Sequence, residues 1–162
     1  MPKNNLITNG LNIKIMRISF DLDETLISRN IDWEVEPDLK GFRGGEERLR
    51  KGTVELFNWI RERNHEIWIC TNSYRGRRAL ECWFKDCGIP INGVIDQIVH
   101  EQKRNAKGRM YKLEKNPKWF GIDLHFDDLD ELVVQEGICK INPFDSAWTD
   151  TVKQFIKETQ KS

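Results

Sequence analysis

Arg17-Ile18-Ser19-Phe20-Asp21-Leu22-Asp23-Glu24-Thr25-Leu26 carries an apolar strand into two carboxylates spaced i, i+2, followed by a threonine. Ile13, Ile15, Ile18 and Phe20 read as one strand, which has little use for acids at its C-terminal end. The exception is the edge of an open α/β sheet, where ligands of such folds bind. Side chains alternate along a strand, so Asp21 and Asp23 point the same way if the strand stays regular. Two carboxylates on one site repel each other, and such a pair binds a metal or divides into two chemical roles. A D-x-D alone also occurs in exposed turns, so the rest of the chain has to decide.

Two further strands end in chemistry. Glu66-Ile67-Trp68-Ile69-Cys70-Thr71-Asn72 closes on a hydroxyl and an amide, and Ile122-Asp123-Leu124-His125-Phe126-Asp127-Asp128 closes on paired acids. Lys112, Lys115 and Lys118 cluster just before the third of these strands. Between the first two, Thr53 reads as the cap of a helix carrying Val54, Leu56, Phe57, Trp59 and Ile60, with Asn64 as its left-handed stop. Ser73 reads as the cap of a second helix, whose stripe Leu80, Trp83, Phe84, Cys87 ends at Gly88. Val94 to Val99 reads as a strand, followed by a basic segment with little apolar periodicity. After Asp128 come a short helix through Glu136, a strand from Ile138 to Ile141, and a last helix with Trp148, Val152, Phe155 and Ile156. This alternation predicts an α/β fold, a Rossmann-like parallel sheet with helices on both faces.

Composition bounds the class. A chain of 162 residues, 38% hydrophobic and 32% charged, is long enough for one packed domain, read here as residues 13–162. Residues 1–12 are polar and read as a flexible lead-in without the apolar segment of a signal peptide. No apolar run approaches a membrane span, so no membrane partner is expected and the cytoplasm is the default location. Cys70, Cys82, Cys87 and Cys139 form no C-x-x-C pair and read as free thiols. Lys plus Arg and Asp plus Glu both number 26, which gives no long-range pull toward nucleic acid. Locally, the stretch from Lys103 to Lys118 is basic and the stretch after it acidic.

Taken jointly, D-x-D-x-T, Thr-Asn, lysine and Asp-Asp, in this order and at strand ends, resemble the four motifs of the haloacid dehalogenase superfamily over roughly Ile13 to Asp128. The resemblance implies a Mg²⁺-dependent phosphatase that works through an aspartyl-phosphate intermediate. Under it Asp21 is the nucleophile and Asp23 the general acid and base; family dehalogenases lack this second acid. Thr71 and Lys115 complete the catalytic set, with Lys118 and Lys112 kept open as the lysine. Asp21, Asp23 through its carbonyl, Asp127 and Asp128 hold the metal directly or at one remove. Main-chain groups around Leu22 and Asn72 meet the phosphoryl group, and Tyr74 and Arg75 are candidates for substrate contact.

Members of that superfamily differ in cap insertions, and the charged, glycine-bearing loop between Thr25 and Thr53 is too short for a globular cap. An open site suits a macromolecular phosphorylated substrate touching Arg43, Arg48, Arg75 or Arg78, or a neighbouring copy acting as lid in a homo-oligomer. Two other readings stay open: a phosphate-binding regulatory module without turnover, and a nucleic-acid-end phosphatase resting on the basic stretch. His125 shares a strand face with Asp127 and is expected to pack, not to catalyse.

Overall fold

The computed structural model of the chain describes residues 5–8, 11–106, 115–128 and 137–161. The expected long strand from Ile13 to Phe20 is divided in two. β1 (Asn5–Thr8) and β2 (Leu11–Lys14) pair antiparallel with each other, so the described part of the stretch read as a flexible lead-in is strand instead. The division has a cause in burial: Ile13 is exposed, whereas Met16, Ile18 and Phe20 are fully buried. Met16 starts the sheet entry, its main-chain N–H donating to Nδ1 of the buried His65.

β3 (Arg17–Phe20) is the centre of a five-stranded sheet with β4 (Glu66–Cys70), β5 (Gly93–Ile95), β6 (Leu124–Asp127) and β7 (Ile138–Lys140). The order is β5-β4-β3-β6-β7, and every pairing is parallel. This is a Rossmann-like α/β sheet. The chain winds outward from β3 through β4 to β5, then crosses back to place β6 on the other side of β3. The order therefore reverses between β3 and β6, and an open crevice forms at their C-terminal ends.

Alternation along the strands sorts the two faces. Ile18, Phe20, Ile67, Ile69, Leu124 and Phe126 pack with Leu56, Phe57 and Ile60 of α1 (Thr53–Glu62) and with Leu80, Trp83 and Phe84 of α2 (Arg77–Asp86). Val152 and Ile156 of the C-terminal helix join the same cluster. Phe20 lies 5.2 Å from the Phe57 ring and 5.3 Å from the Phe126 ring, at separations favourable for aromatic pairs. On the opposite face Cys70, Ile95 and Ile122 pack with Trp68, Val99 and Phe120. Gly93 has no alternative here, because a Cβ would stand 2.4 Å from the Trp68 ring.

Several local expectations change. Gly52, at φ 99°, caps α1, and Thr53 is the first helical residue, its hydroxyl donating to the Arg50 carbonyl. α2 starts after Gly76 instead of at Ser73. Asn64 (φ 61°) and Gly88 (φ 77°) are the left-handed stops expected of them. The strand expected from Val94 to Val99 ends at Ile95, and α3 (Gln97–Ala106) begins where Asp96 accepts the Val99 N–H. The last helix is α4 (Trp148–Gln160). The helix expected through Glu136 lies outside the described residues, as do Lys107, Arg109 and Lys112. No helix among the described residues is long and apolar enough to cross a membrane.

Candidate active site

Parallel register brings the strand-end chemistry together. Phe20 pairs with Ile69 on one side and Phe126 on the other, so the residues that follow, Asp21, Cys70-Thr71 and Asp127, emerge side by side at the crevice. The Asp21 N–H donates to the Phe126 carbonyl at 2.8 Å, and the Thr71 N–H to Ile95, so the sheet ladder fixes both positions. Lys115, which precedes the short 3₁₀ turn Pro117–Phe120, reaches over the same edge. Its ammonium donates to Asp21 Oδ1 at 2.5 Å and to Asp127 Oδ2 at 2.7 Å. Of the lysines considered, Lys118 is exposed on the turn and Lys112 is outside the described residues; Lys115 is the one at the acids.

A second donor holds Asp127. His125 Nε2 lies 2.9 Å from Asp127 Oδ2, and its Nδ1 lies 2.7 Å from the Ser19 hydroxyl. Burial holds His125 below the usual histidine range, so the ring is neutral. A neutral ring with Nε2–H toward the carboxylate and Nδ1 accepting from Ser19 satisfies both contacts. His125 thus does more than pack, because it orients an acid of the site.

Asp21, Asp127 and Asp128 offer oxygens that all lie within 4.8 Å of one another. Burial, reinforced by the charge of Asp127, pushes Asp21 up to about 8 against the opposing pull of Lys115. Burial also raises Asp127, yet the His125 hydrogen bond and the Lys115 charge outweigh it and hold Asp127 well below the carboxylate range. Asp128 is raised, by burial first and then by Asp127. Lys115 is lowered by burial but lifted further by Asp21 and Asp127, and it stays charged. Among the described residues three acids share one ammonium, so without another cation the cluster keeps a proton, and Asp21, pushed up to about 8, carries it. Fully ionised, these three carboxylates exceed the charge of Lys115 by two, and an all-oxygen donor set with that excess suits a divalent oxygen-seeking cation.

The Thr25 hydroxyl lies 3.5 Å from Asp21 Oδ2 and 3.4 Å from Asp128 Oδ1, closing the ring of acids from below. Leu22 is fully buried and turns the chain, receiving main-chain bonds from Leu26 and Ile27. The Thr71 side chain is buried and meets Ser73, while the Asn72 side-chain oxygen is buried with no partner among the described residues. Cys70, fully buried beside the acids, is pushed up to about 12 by burial, which rules it out as a thiolate nucleophile.

Asp23 does not point at Lys115. It faces outward, its side chain about half exposed, and receives both terminal nitrogens of Arg75 at 3.0 and 2.5 Å. The same guanidinium reaches Glu47, with Nη2 to Oε2 at 2.5 Å and Nε to Oε1 at 3.3 Å. Arg75 is therefore committed to two carboxylates. Arg48 is likewise used inside its own loop, donating to the carbonyls of Glu36, Pro37 and Leu39. Tyr74 is exposed and donates to Glu101. Glu47, buried in the middle of the loop before α1, had no signal in the sequence. Neither had Arg50, whose buried guanidinium donates to the carbonyls of Thr25, Asn142, Pro143 and Asp145 and faces the rings of Trp33 and Trp148 at 4.4 and 4.8 Å. A cavity of about 540 Å³ beyond Arg50, walled by Trp33, Phe144 and Trp148, contains none of the acids of the crevice.

Searched against models of protein families and against curated proteins, the chain matches none.

Proposed function

We propose that the chain is a Mg²⁺-dependent phosphomonoesterase of the haloacid dehalogenase type that works through an aspartyl phosphate. The observation that carries this is the buried Lys115 held between Asp21 and Asp127 at the sheet's switch point, with Asp128 completing an acid cluster that a single ammonium cannot neutralise. Asp21, Asp127 and the main-chain carbonyl of Asp23 would hold the cation, with Asp128 beside them. When bound, Mg²⁺ offsets the charge of acids and phosphate and polarises a phosphate oxygen.

The chain's own residues supply the rest. An Asp21 oxygen attacks phosphorus while the bond to the leaving alcohol breaks, and Asp23 gives its proton to the departing oxygen. Water then attacks the phosphorus of the aspartyl phosphate and loses its proton to Asp23. Inorganic phosphate leaves and the Asp21 carboxylate is restored. Lys115 stabilises charge on the transferring group and, together with the bound cation, would hold Asp21 ionised for attack, and the Thr71 hydroxyl adds a hydrogen bond to that group. His125 and Ser19 keep Asp127 in place. No globular cap covers the crevice in this reading, because residues 28–52 pack as an irregular loop with one 3₁₀ turn at Phe42–Gly44.

The bidentate grip of Arg75 on Asp23 favours a second reading, a phosphate-binding module whose acid is held away from chemistry. One experiment separates the two. The phosphatase reading expects aryl phosphate to be hydrolysed in Mg²⁺, hydrolysis to stop in excess chelator, and Asp21→Asn to be inactive; binding of inorganic phosphate without any turnover would select the module instead.

A further inference from the structure

The side of Asp23 away from the buried acids opens into a cavity of about 440 Å³ lined by Asp23, Glu24, Arg29, Asn30, Glu47 and Arg75. Its size falls within the range of about 300 to 1,000 Å³ common to small-molecule sites. None of the six lining residues is apolar. Asp23, which borders the cavity, is the residue that gives a proton to the departing oxygen, so whatever that oxygen belongs to must extend from Asp23 outward.

From this geometry we infer that the cavity is the leaving-group subsite and that it takes a neutral polyhydroxylated alcohol, a sugar-like group, in preference to an apolar or anionic one. The inference rests on the phosphatase reading. Glu24 and Glu47 present acceptors, and Arg29 and Asn30 on the exposed rim present donors, which matches a group whose every hydroxyl both gives and takes a hydrogen bond. An apolar group would strip water from these side chains and return nothing.

Charge argues against a second anion. With Asp23 holding the proton it delivers, Glu24 and Glu47 offset Arg29 and Arg75, so the cavity carries no net positive charge when substrate binds. Arg75 is already saturated by Asp23 and Glu47, and Arg29 lies 3.5 Å from Glu47. Among the described residues both cations of the cavity are therefore already paired with its carboxylates, which leaves Arg29 spare N–H donors for hydroxyls but no excess positive charge for a carboxylate or second phosphate. Glu24 is fixed in its place by backbone geometry: it sits at φ 60°, its N–H donates to the Ile27 carbonyl at 2.7 Å, and its carboxylate accepts from Ser28 at 2.6 Å.

The test compares kcat/KM in Mg²⁺ for three monoesters of primary or secondary alcohols: a hexose 6-phosphate, hexyl phosphate, and 3-phosphoglycerate. The expected result is a preference of about tenfold or more for the hexose ester over each of the others, the effect of one or two net hydrogen bonds. Asn30→Ala and Arg29→Gln should each reduce the hexose-to-hexyl ratio by about fivefold. Equal or better turnover of hexyl phosphate overturns the polyol assignment, and preference for phosphoglycerate overturns the charge argument; both leave the phosphatase reading intact. Failure to turn over any monoester, aryl phosphate included, removes the reading itself and the inference with it.

Discussion

Replacing Lys115 with Met keeps the length of the side chain and removes the one cation shared by Asp21 and Asp127. At 2.7 Å the contact with Asp127, the acid that stays ionised without a cation, is worth on the order of 6 kcal/mol of Coulomb energy at an effective dielectric near 20. Much of that is offset by the penalty of burying the ammonium, which is 3% exposed as a residue. Breaking buried pairs of this kind typically destabilises by about 3 to 5 kcal/mol, because a carboxylate is left uncompensated. For a domain of this size that lowers Tm by roughly 6 to 20 °C. Thermal unfolding in chelator should show the loss, and added Mg²⁺ should restore more Tm to Lys115→Met than it adds to the wild type, since the variant's acid cluster has the larger charge deficit. Aryl phosphate turnover should fall by about 10² to 10³-fold even where Mg²⁺ has restored the fold. A Tm loss under about 2 °C, or one that Mg²⁺ leaves unchanged, would refute the claim that Lys115 neutralises a cation-binding acid cluster.

Three other outcomes are expected. Asp21 is raised to about 8 in the fold from 3.8, so the folded state binds the extra proton and this group's contribution to stability falls as pH rises from about 4 to about 8. Denaturant titrations in chelator should show that decline in the wild type and a flatter profile in Asp21→Asn; parallel profiles contradict the assignment. Glu47→Gln should loosen Arg75 and with it Asp23, lowering kcat by about tenfold while leaving Tm nearly unchanged; an effect confined to KM would mean that Glu47 meets substrate instead. Arg50→Met removes the side-chain donor from the carbonyls of Thr25, Pro143 and Asp145, and from that of Asn142, which keeps the Asp145 N–H; it should destabilise by about 2 to 4 kcal/mol in a denaturant titration, and a loss under about 1 kcal/mol would show that water replaces the guanidinium.

The strands that carry the acids were legible because buried parallel strands read as short apolar runs, and Ile18-Ser19-Phe20, Ile67 to Cys70 and Leu124 to Phe126 are such runs. α3 was not legible, for a physical reason. Its buried positions are Gln97, His100 and Arg104, helical in spacing but polar, so hydrophobic periodicity is blind to it. Val94, Ile95, Ile98 and Val99 then read as one β-branched run, although Asp96 divides a strand from a helix cap within it. Ile13 of β2 is exposed, so the apolar pattern that reads it into the strand of Ile18 and Phe20 misplaces it. Asp21, Lys115 and Asp127 could be picked out by order along the chain, since strand ends in a parallel sheet converge. Glu47 and Arg50 could not, because a loop buries polar residues by pairing them across distances that no local pattern encodes.

The central position of β3 bears on how the protein is made. β4 and β5 emerge from synthesis soon after β3 and can cover one of its edges, but β6 comes more than a hundred residues later. Until Leu124–Asp127 has been made, the other edge of β3 offers unpaired amides and carbonyls, the kind of surface that templates association between chains. Asp21 and Asp23 stand at the end of that uncovered edge. Acids that later serve the crevice meanwhile place like charges on every nascent copy, so two unfinished chains approaching edge to edge repel before they can pair.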